Sequence, residues 1–112
     1  SSWASEISAN PFAPGTALAT RQAVEFVTTA ITSPALEDPA AAAATAAGLR
    51  QTHPHIQYVE LNRRGYFVLD VTPERAQAQW YHLAQHRERN LTETLAATFF
   101  TAAGESRLQA AR

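Results

Sequence analysis

Ile56-Gln57-Tyr58-Val59-Glu60-Leu61, Asn62-Arg63-Arg64-Gly65 and Tyr66-Phe67-Val68-Leu69-Asp70-Val71 follow one another without a break, and how they are joined decides the fold. The two outer runs are rich in β-branched and aromatic residues, the composition of half-buried strands. A four-residue connection ending in glycine between two such runs predicts a β-hairpin. Gly65 would then supply a positive φ at the turn exit. On this reading Arg63 and Arg64 are a charged, solvated turn rather than a contact for a phosphate, and Asp70 takes a solvent-facing alternate position.

On the N-terminal side, Val24-Glu25-Phe26-Val27-Thr28-Thr29-Ala30-Ile31-Thr32 reads as a further strand, buried on both faces near Phe26 and Val27 and stopped at Ser33-Pro34. Asp38-Pro39 before an alanine run marks a helix start, with Asp38 as N-cap and proline in the first turn. The helix should span about 39–51 and stop at Thr52-His53-Pro54, with Ala47 and Leu49 as its core candidates. Residues 1–22 carry Pro11, Pro14 and Gly15 and only scattered apolar residues (Trp3, Ile7, Phe12, Leu18), the pattern of a loop with a few packing anchors.

On the C-terminal side the signals conflict. Thr72-Pro73-Glu74 resembles a helix start and the following residues have helix propensity, yet Ala76, Ala78, Trp80 and His82 alternate with Gln77, Gln79 and Tyr81 as a strand would. Thr98-Phe99-Phe100-Thr101 likewise pulls towards strand against its alanine neighbours. Gly104 ends this segment, and residues 105–112 read as a tail.

The chain has 112 residues, room for one domain, and 24 of them are Ala, so its 46% apolar content overstates the core. Leu, Ile, Val and Phe number only 22, a fraction that signals disorder when net charge is high; here the formal charge is −1. The core is thin for a free-standing domain. The near-neutral balance argues against broad nucleic-acid binding. No apolar run approaches about 18 residues, which excludes a transmembrane helix, and no charged region precedes an apolar stretch as in a signal peptide. The absence of Cys excludes disulfides, thiolate catalysis and Cys-based metal sites. The absence of Met suggests a processed or trimmed chain, or a piece of a longer one.

The residues that could carry chemistry do not assemble into a catalytic set. His53-Pro54-His55 is too short and rigid to place two ligands on one regular element, and partly exposed capping residues explain it better. His82 and His86 are spaced i, i+4, which would put two imidazoles on one helix face, but on a strand they lie about 13 Å apart and cannot share a metal. No glutamate follows His82 as in zinc proteases, and there is neither a serine elbow nor a glycine-rich phosphate cradle. Asp38 reads as a cap. Asn90-Leu91-Thr92 matches a glycosylation acceptor, frequent by chance.

The order of three motifs nevertheless resembles the PhoD-like phosphatases, the alkaline phosphatase D family. Val24 to Ser33 is similar to that family's Glu-Phe-Val-x-x-Ser-Ile-Thr-Ser segment, with Ala30 where the family commonly has Ser. His53-Pro54-His55-Ile56 followed by Arg63-Arg64-Gly65-Tyr66, and Asp70-Val71-Thr72-Pro73-Glu74-Arg75-Ala76-Gln77-Ala78 with Trp80-Tyr81, are the more specific part. Ser1-Ser2-Trp3-Ala4 resembles the residues directly after the family's Gly-Asp-x-His metal motif. The resemblance covers about residues 1–104.

The resemblance implies a secreted or periplasmic phosphomonoesterase or phosphodiesterase with a multimetal centre of iron and calcium. The ions would stabilise charge on the phosphoryl oxygens and activate the attacking oxygen. The family's ligands come mainly from chain preceding this segment, and none transfers onto a position here. The expected product is the C-terminal portion of such an enzyme: no cofactor bound by this chain alone, with the preceding part of the same enzyme and a phosphate ester as partners, and neither nucleic acid nor membrane. Ser1, Ser2 and Trp3 would lie beside the metal motif through chain adjacency, and Thr32 and Ser33 would line the pocket edge.

The expected fold class is α+β, mainly antiparallel strands with one helix (about 39–51), as part of a two-layer metallophosphatase α/β sandwich. Within 1–112, residues 1–22 would be loop, 23–104 strands and one helix, and 105–112 tail. By the same resemblance, 76–83 becomes a strand pairing after the Thr72–Glu74 turn, and 98–101 a strand as well. The alternative to a structural part of a phosphatase is a self-standing small α+β binding or interaction module without catalysis.

Overall fold

The computed structural model describes residues 1–9, 21–32, 34–84 and 92–111. Its elements are β1 (Ser2–Ser8), β2 (Arg21–Val27), α1 (Pro39–Thr52), β3 (Ile56–Glu60), β4 (Gly65–Val71), β5 (Arg75–Leu83), β6 (Glu93–Ala102) and β7 (Gln109–Ala110). They form two antiparallel sheets, one ordered β2-β1-β3 and the other β4-β5-β6-β7. The expected α+β class with mainly antiparallel strands and one helix matches this architecture.

The predicted hairpin does not form. β3 pairs with β1, Ser2 against Glu60 and Trp3 against Val59, while β4 pairs with β5, Gly65 against His82. Residues 61–64 carry the chain from one sheet to the other. A strand–Gly–strand pattern specifies two strands and a turn, but not that the strands pair with each other. That choice is made by tertiary partners, here β1 from far along the chain.

Gly65 is also glycine for another reason than expected. Gly104, with φ +78°, is the one glycine in the left-handed region among the described residues. At Gly65 a Cβ would fall 1.9 Å from the Tyr81 carbonyl oxygen. Close approach of β4 and β5 demands the missing side chain, not a turn conformation.

β1 lies inside the segment read as loop. Ser2, Ala4, Ser5 and Glu6 are buried although three of the four are polar, so the strand has no apolar alternation to reveal it. Its small side chains let β2 and β3 close on it from both edges. β2 ends at Val27 rather than continuing to Thr32, and Phe26 and Val27 are only half-buried. The tail holds β7, and Leu108 just before it is 9% exposed and joins the core.

Helix α1 starts as read: the Asp38 carboxylate accepts from Ala40 N at 3.0 Å, Pro39 follows, and the helix ends at Thr52 with His53 as C-cap. Its core candidates were misplaced. Ala42 is the buried residue, Ala47 is exposed and Leu49 is half-buried. With so few large residues the helix is held on β3 mainly by small contacts.

β5 resolves the helix–strand conflict in favour of the strand. The Thr72–Glu74 turn is closed by Thr72 N donating to Arg75 O at 2.8 Å, with the Thr72 hydroxyl accepting from Arg75 N at 3.2 Å. Trp80 is fully buried at the centre of the sandwich, against Phe26 and Tyr58 of one sheet and Phe67 and Phe99 of the other, with ring centroids 5.3–6.2 Å away. Its Nε1–H donates to Val27 O at 2.9 Å, joining the two sheets. A fully buried tryptophan with its N–H satisfied outweighs the modest helix propensity of its neighbours.

Candidate functional site

One end of the sandwich collects its polar groups. The antiparallel registers place the start of β1 beside the ends of β2 and β3. The short 61–64 link then brings the start of β4 and the end of β5 to the same place. Ser2 Oγ, 1% exposed, accepts from Thr29 N at 3.1 Å and fixes the chain leaving β2. Glu60 Oε1 accepts from Asn62 N at 2.8 Å and Arg63 N at 3.1 Å, so this carboxylate holds the link in shape. Asn62 Nδ2 donates to Leu36 O at 2.6 Å, and Leu83 N donates to Arg64 O at 2.9 Å. The buried Arg64 guanidinium pairs with Glu37 at 3.5 Å.

Behind this link, Tyr58 Oη and His82 Nε2 meet at 3.1 Å across the two sheets. Burial, reinforced by the Glu60 charge, pushes the Tyr58 phenol far above its ordinary range and keeps it protonated. His82 Nε2 is the phenol's hydrogen-bond partner, and Nδ1 of the same ring is buried with no hydrogen-bond partner.

Burial of His82, 4% exposed, lowers its pKa; the Glu60 charge opposes this, and the smaller effect of Arg63 adds to it. His55 is lowered in the same direction, by burial first and by His53 second, with Glu25 opposing. Both folded-state values therefore lie below the ordinary 6.5. Above that pH both imidazoles are neutral, folded or unfolded, and stability is at its full value. As pH falls below 6.5, the unfolded chain takes up protons that the folded one refuses, so stability drops until the lowered folded-state values are reached. Thermal melts between pH 7.5 and 5, buffered on a scale of about one pH unit per step, should show a falling Tm that flattens in His82→Gln. A Tm independent of pH over that window contradicts the assignment.

The residues singled out from sequence separate in the structure. Ser1 and Ser2 stand at this polar end. Trp3 turns to the opposite face of its sheet, where Nε1–H donates to Glu25 Oε2 at 2.8 Å. Thr32 is exposed in the turn beyond Thr29, and Ser33, His86, Asn90 and Leu91 lie outside the described residues. His53 and His55 sit at the helix exit with ring centroids 5.8 Å apart. Asp70 is exposed on β4 as read. Sequence reasoning missed the Tyr58–His82 pair and Thr29. The alternation through Trp80 and His82 was the available signal for the former, because it places His82 on the core face.

Between the 61–64 link and the edge of the second sheet runs an open cleft of about 340 Å³, lined by Asn62, Arg63, His82, Leu83, Ala84 and Thr94. Arg63 is exposed and makes no ion pair among the described residues. Among those residues no group of three or more His, Asp or Glu side chains converges. They do not fit a multimetal centre by themselves. No helix of the described residues is long and apolar enough to cross a membrane.

A family model described as PhoD-like phosphatase matches residues 1–80, from the start of β1 to Trp80 near the end of β5. No curated protein and no solved structure matches the chain significantly.

Proposed function

The chain belongs to the PhoD-like phosphatase family, and from that premise we propose that it is the C-terminal structural part of a secreted, metal-dependent phosphatase or phosphodiesterase acting on phosphate esters. The side chains that ligate the metals, iron and calcium by resemblance, belong to residues preceding Ser1. The observation that carries this reading is the gathering of Ser2, Thr29, Glu60, Asn62, Arg63 and His82 at the end of the sandwich where β1 begins. A metal-binding loop entering β1 at Ser1 would emerge among them. These residues fix the loops behind such a centre and supply hydrogen-bond donors to its edge. Ser1 and Ser2 stand next to it, and Thr32 and Ser33 are proposed for the pocket edge; Trp3 serves instead to brace β1 on β2.

The second sheet supports a shared core. Val68 and Leu95 on one of its faces and Leu69 and Val71 on the other are 46–67% exposed apolar side chains. Chain outside residues 1–112 would cover them.

The test is hydrolysis of p-nitrophenyl phosphate, with iron and calcium supplied, by residues 1–112 alone and joined to the residues that precede them in their own protein. Turnover only in the joined form is expected. Turnover by the 112 residues alone would overturn the placement of the chemistry outside them. Inactivity of both, together with a sharp thermal transition of the short chain, would favour the self-standing binding module.

A further inference from the structure

The Tyr58–His82 bond joins the two sheets directly behind the crossing, and of its two partners the imidazole changes charge near neutral pH. A neutral imidazole has one N–H and one lone pair, whereas a protonated one has an N–H at both nitrogens. Nε2 lies 3.1 Å from Tyr58 Oη, an oxygen able to accept. Nδ1 is buried and has no partner. Whichever nitrogen carries the hydrogen in the neutral ring, proton uptake therefore leaves a charge and an unsatisfied N–H at a residue 4% exposed. The charges acting on the ring oppose one another: Glu60 of β3 draws the proton in and Arg63 of the link repels it. Gly65 of β4 and Thr94 of β6, its neighbours in the sheet, carry no charge, and burial keeps Tyr58 protonated.

The buried charge is relieved by water, and water is nearest at the open 340 Å³ cleft that His82 helps to line. There the link is tied to the end of β5 by the Leu83 N–Arg64 O bond at 2.9 Å and by Tyr58. Two residues before His82 the sandwich is held more firmly, by the buried Trp80 with its four aromatic neighbours and its bond to Val27 O. We infer that the crossing is an acid-sensitive latch: when His82 takes up a proton, residues 61–64 part from the end of β5 while the sandwich stays closed from Trp80 to its far end. Glu60, which shapes the link, pairs with Ser2 on β1, and Ser2 holds Thr29, so the opening loosens the Ser1 end. The inference rests on the phosphatase reading for what the latch regulates, the loops behind the metal centre; the latch itself does not depend on it.

The experiment is amide hydrogen exchange in the chain joined to its preceding residues, with 1–112 isotope-labelled and no metal added. Protection is corrected for the intrinsic pH dependence of exchange and followed from pH 7.5 to 5.5, about two pH units. The Leu83 amide, bonded to Arg64 O, reports on the latch; those of Thr72 and Ala103, bonded to Arg75 O and Glu74 O, report on the far end. Leu83 should lose protection by about tenfold as pH falls below 6.5, in step with the titration of the His82 ring signals, while Thr72 and Ala103 hold theirs. In His82→Gln the Leu83 protection should not change with pH. Constant Leu83 protection in the unmodified chain, an equal loss at Thr72 and Ala103, or the same loss in His82→Gln overturns the inference. Should His82→Gln fail to fold, a Leu83 loss out of step with the His82 ring titration overturns it equally. Exchange is read without metal or turnover, so inactivity of the joined enzyme leaves it interpretable, and its failure leaves the hydrolysis test untouched.

Discussion

Trp80→Ala is expected to lower Tm by about 12–20 °C, from a loss of about 3–5 kcal/mol of stability. Trp80 is fully buried and touches aromatic rings of both sheets, Phe26 and Tyr58 on one side and Phe67 and Phe99 on the other. Truncation leaves a cavity that rigid strands cannot close, and it takes the donor from Val27 O. The loss is a large share of the roughly 5–15 kcal/mol that holds a domain together, and among the described residues the other fully buried apolar side chains are those of alanines. Trp80→Phe separates the two contributions: it keeps an aromatic ring in place and loses the inter-sheet hydrogen bond, so about half the loss or less is expected. A shift under about 3 °C for the alanine variant would mean that the two sheets do not share this core.

Gly65→Ala should cost about 3 kcal/mol or more, because its Cβ would stand 1.9 Å from Tyr81 O, with Tyr81 C at 2.9 Å and His82 Cα at 3.1 Å. Those are backbone atoms, so no rotamer change relieves the clash. β4 must separate from β5 where Gly65 pairs with His82, and the Arg64–Leu83 hydrogen bond goes with it. Gly65→Asn distinguishes the cause. Asparagine tolerates a left-handed backbone but not this contact, and should be no better than alanine in a thermal melt. Near-normal stability of the asparagine variant would restore the turn explanation.

These two positions also mark what could be read from the chain. α1 was legible because its start is local: Asp38 caps, Pro39 follows, and the alanine run propagates. β5 was legible through the family resemblance, since propensity alone pulled towards helix and the alternation that puts Trp80 and His82 on one face did not outweigh it by itself. β1 was not, because its buried residues are Ser2, Ala4, Ser5 and Glu6, and Glu6 is buried only through partners distant in sequence, Arg21 and the Leu108 amide, each at 2.9 Å. The pairing of β3 was not legible either: a polar four-residue link serves equally well to turn within a sheet or to cross between two. The site followed the same division. Ser1 and Ser2 fell at the polar end through their place at the start of β1, whereas Thr29, Tyr58, Arg63 and His82 came together only through the sheet-to-sheet crossing. Trp3, one residue from Ser2, points away from it because strand neighbours face opposite sides.

The proposed catalytic metals lie at the Ser1 end of the sandwich. In the enzyme formed by this chain and the residues preceding it, with only residues 1–112 isotope-labelled, bound ferric iron should broaden the amide signals of Ser2, Thr29, Asn62 and Gly65 most. Those of Ile7, Thr72, Glu74 and Gly104, at the opposite end, should stay sharp. Broadening centred on the Thr72–Gly104 end would contradict the account.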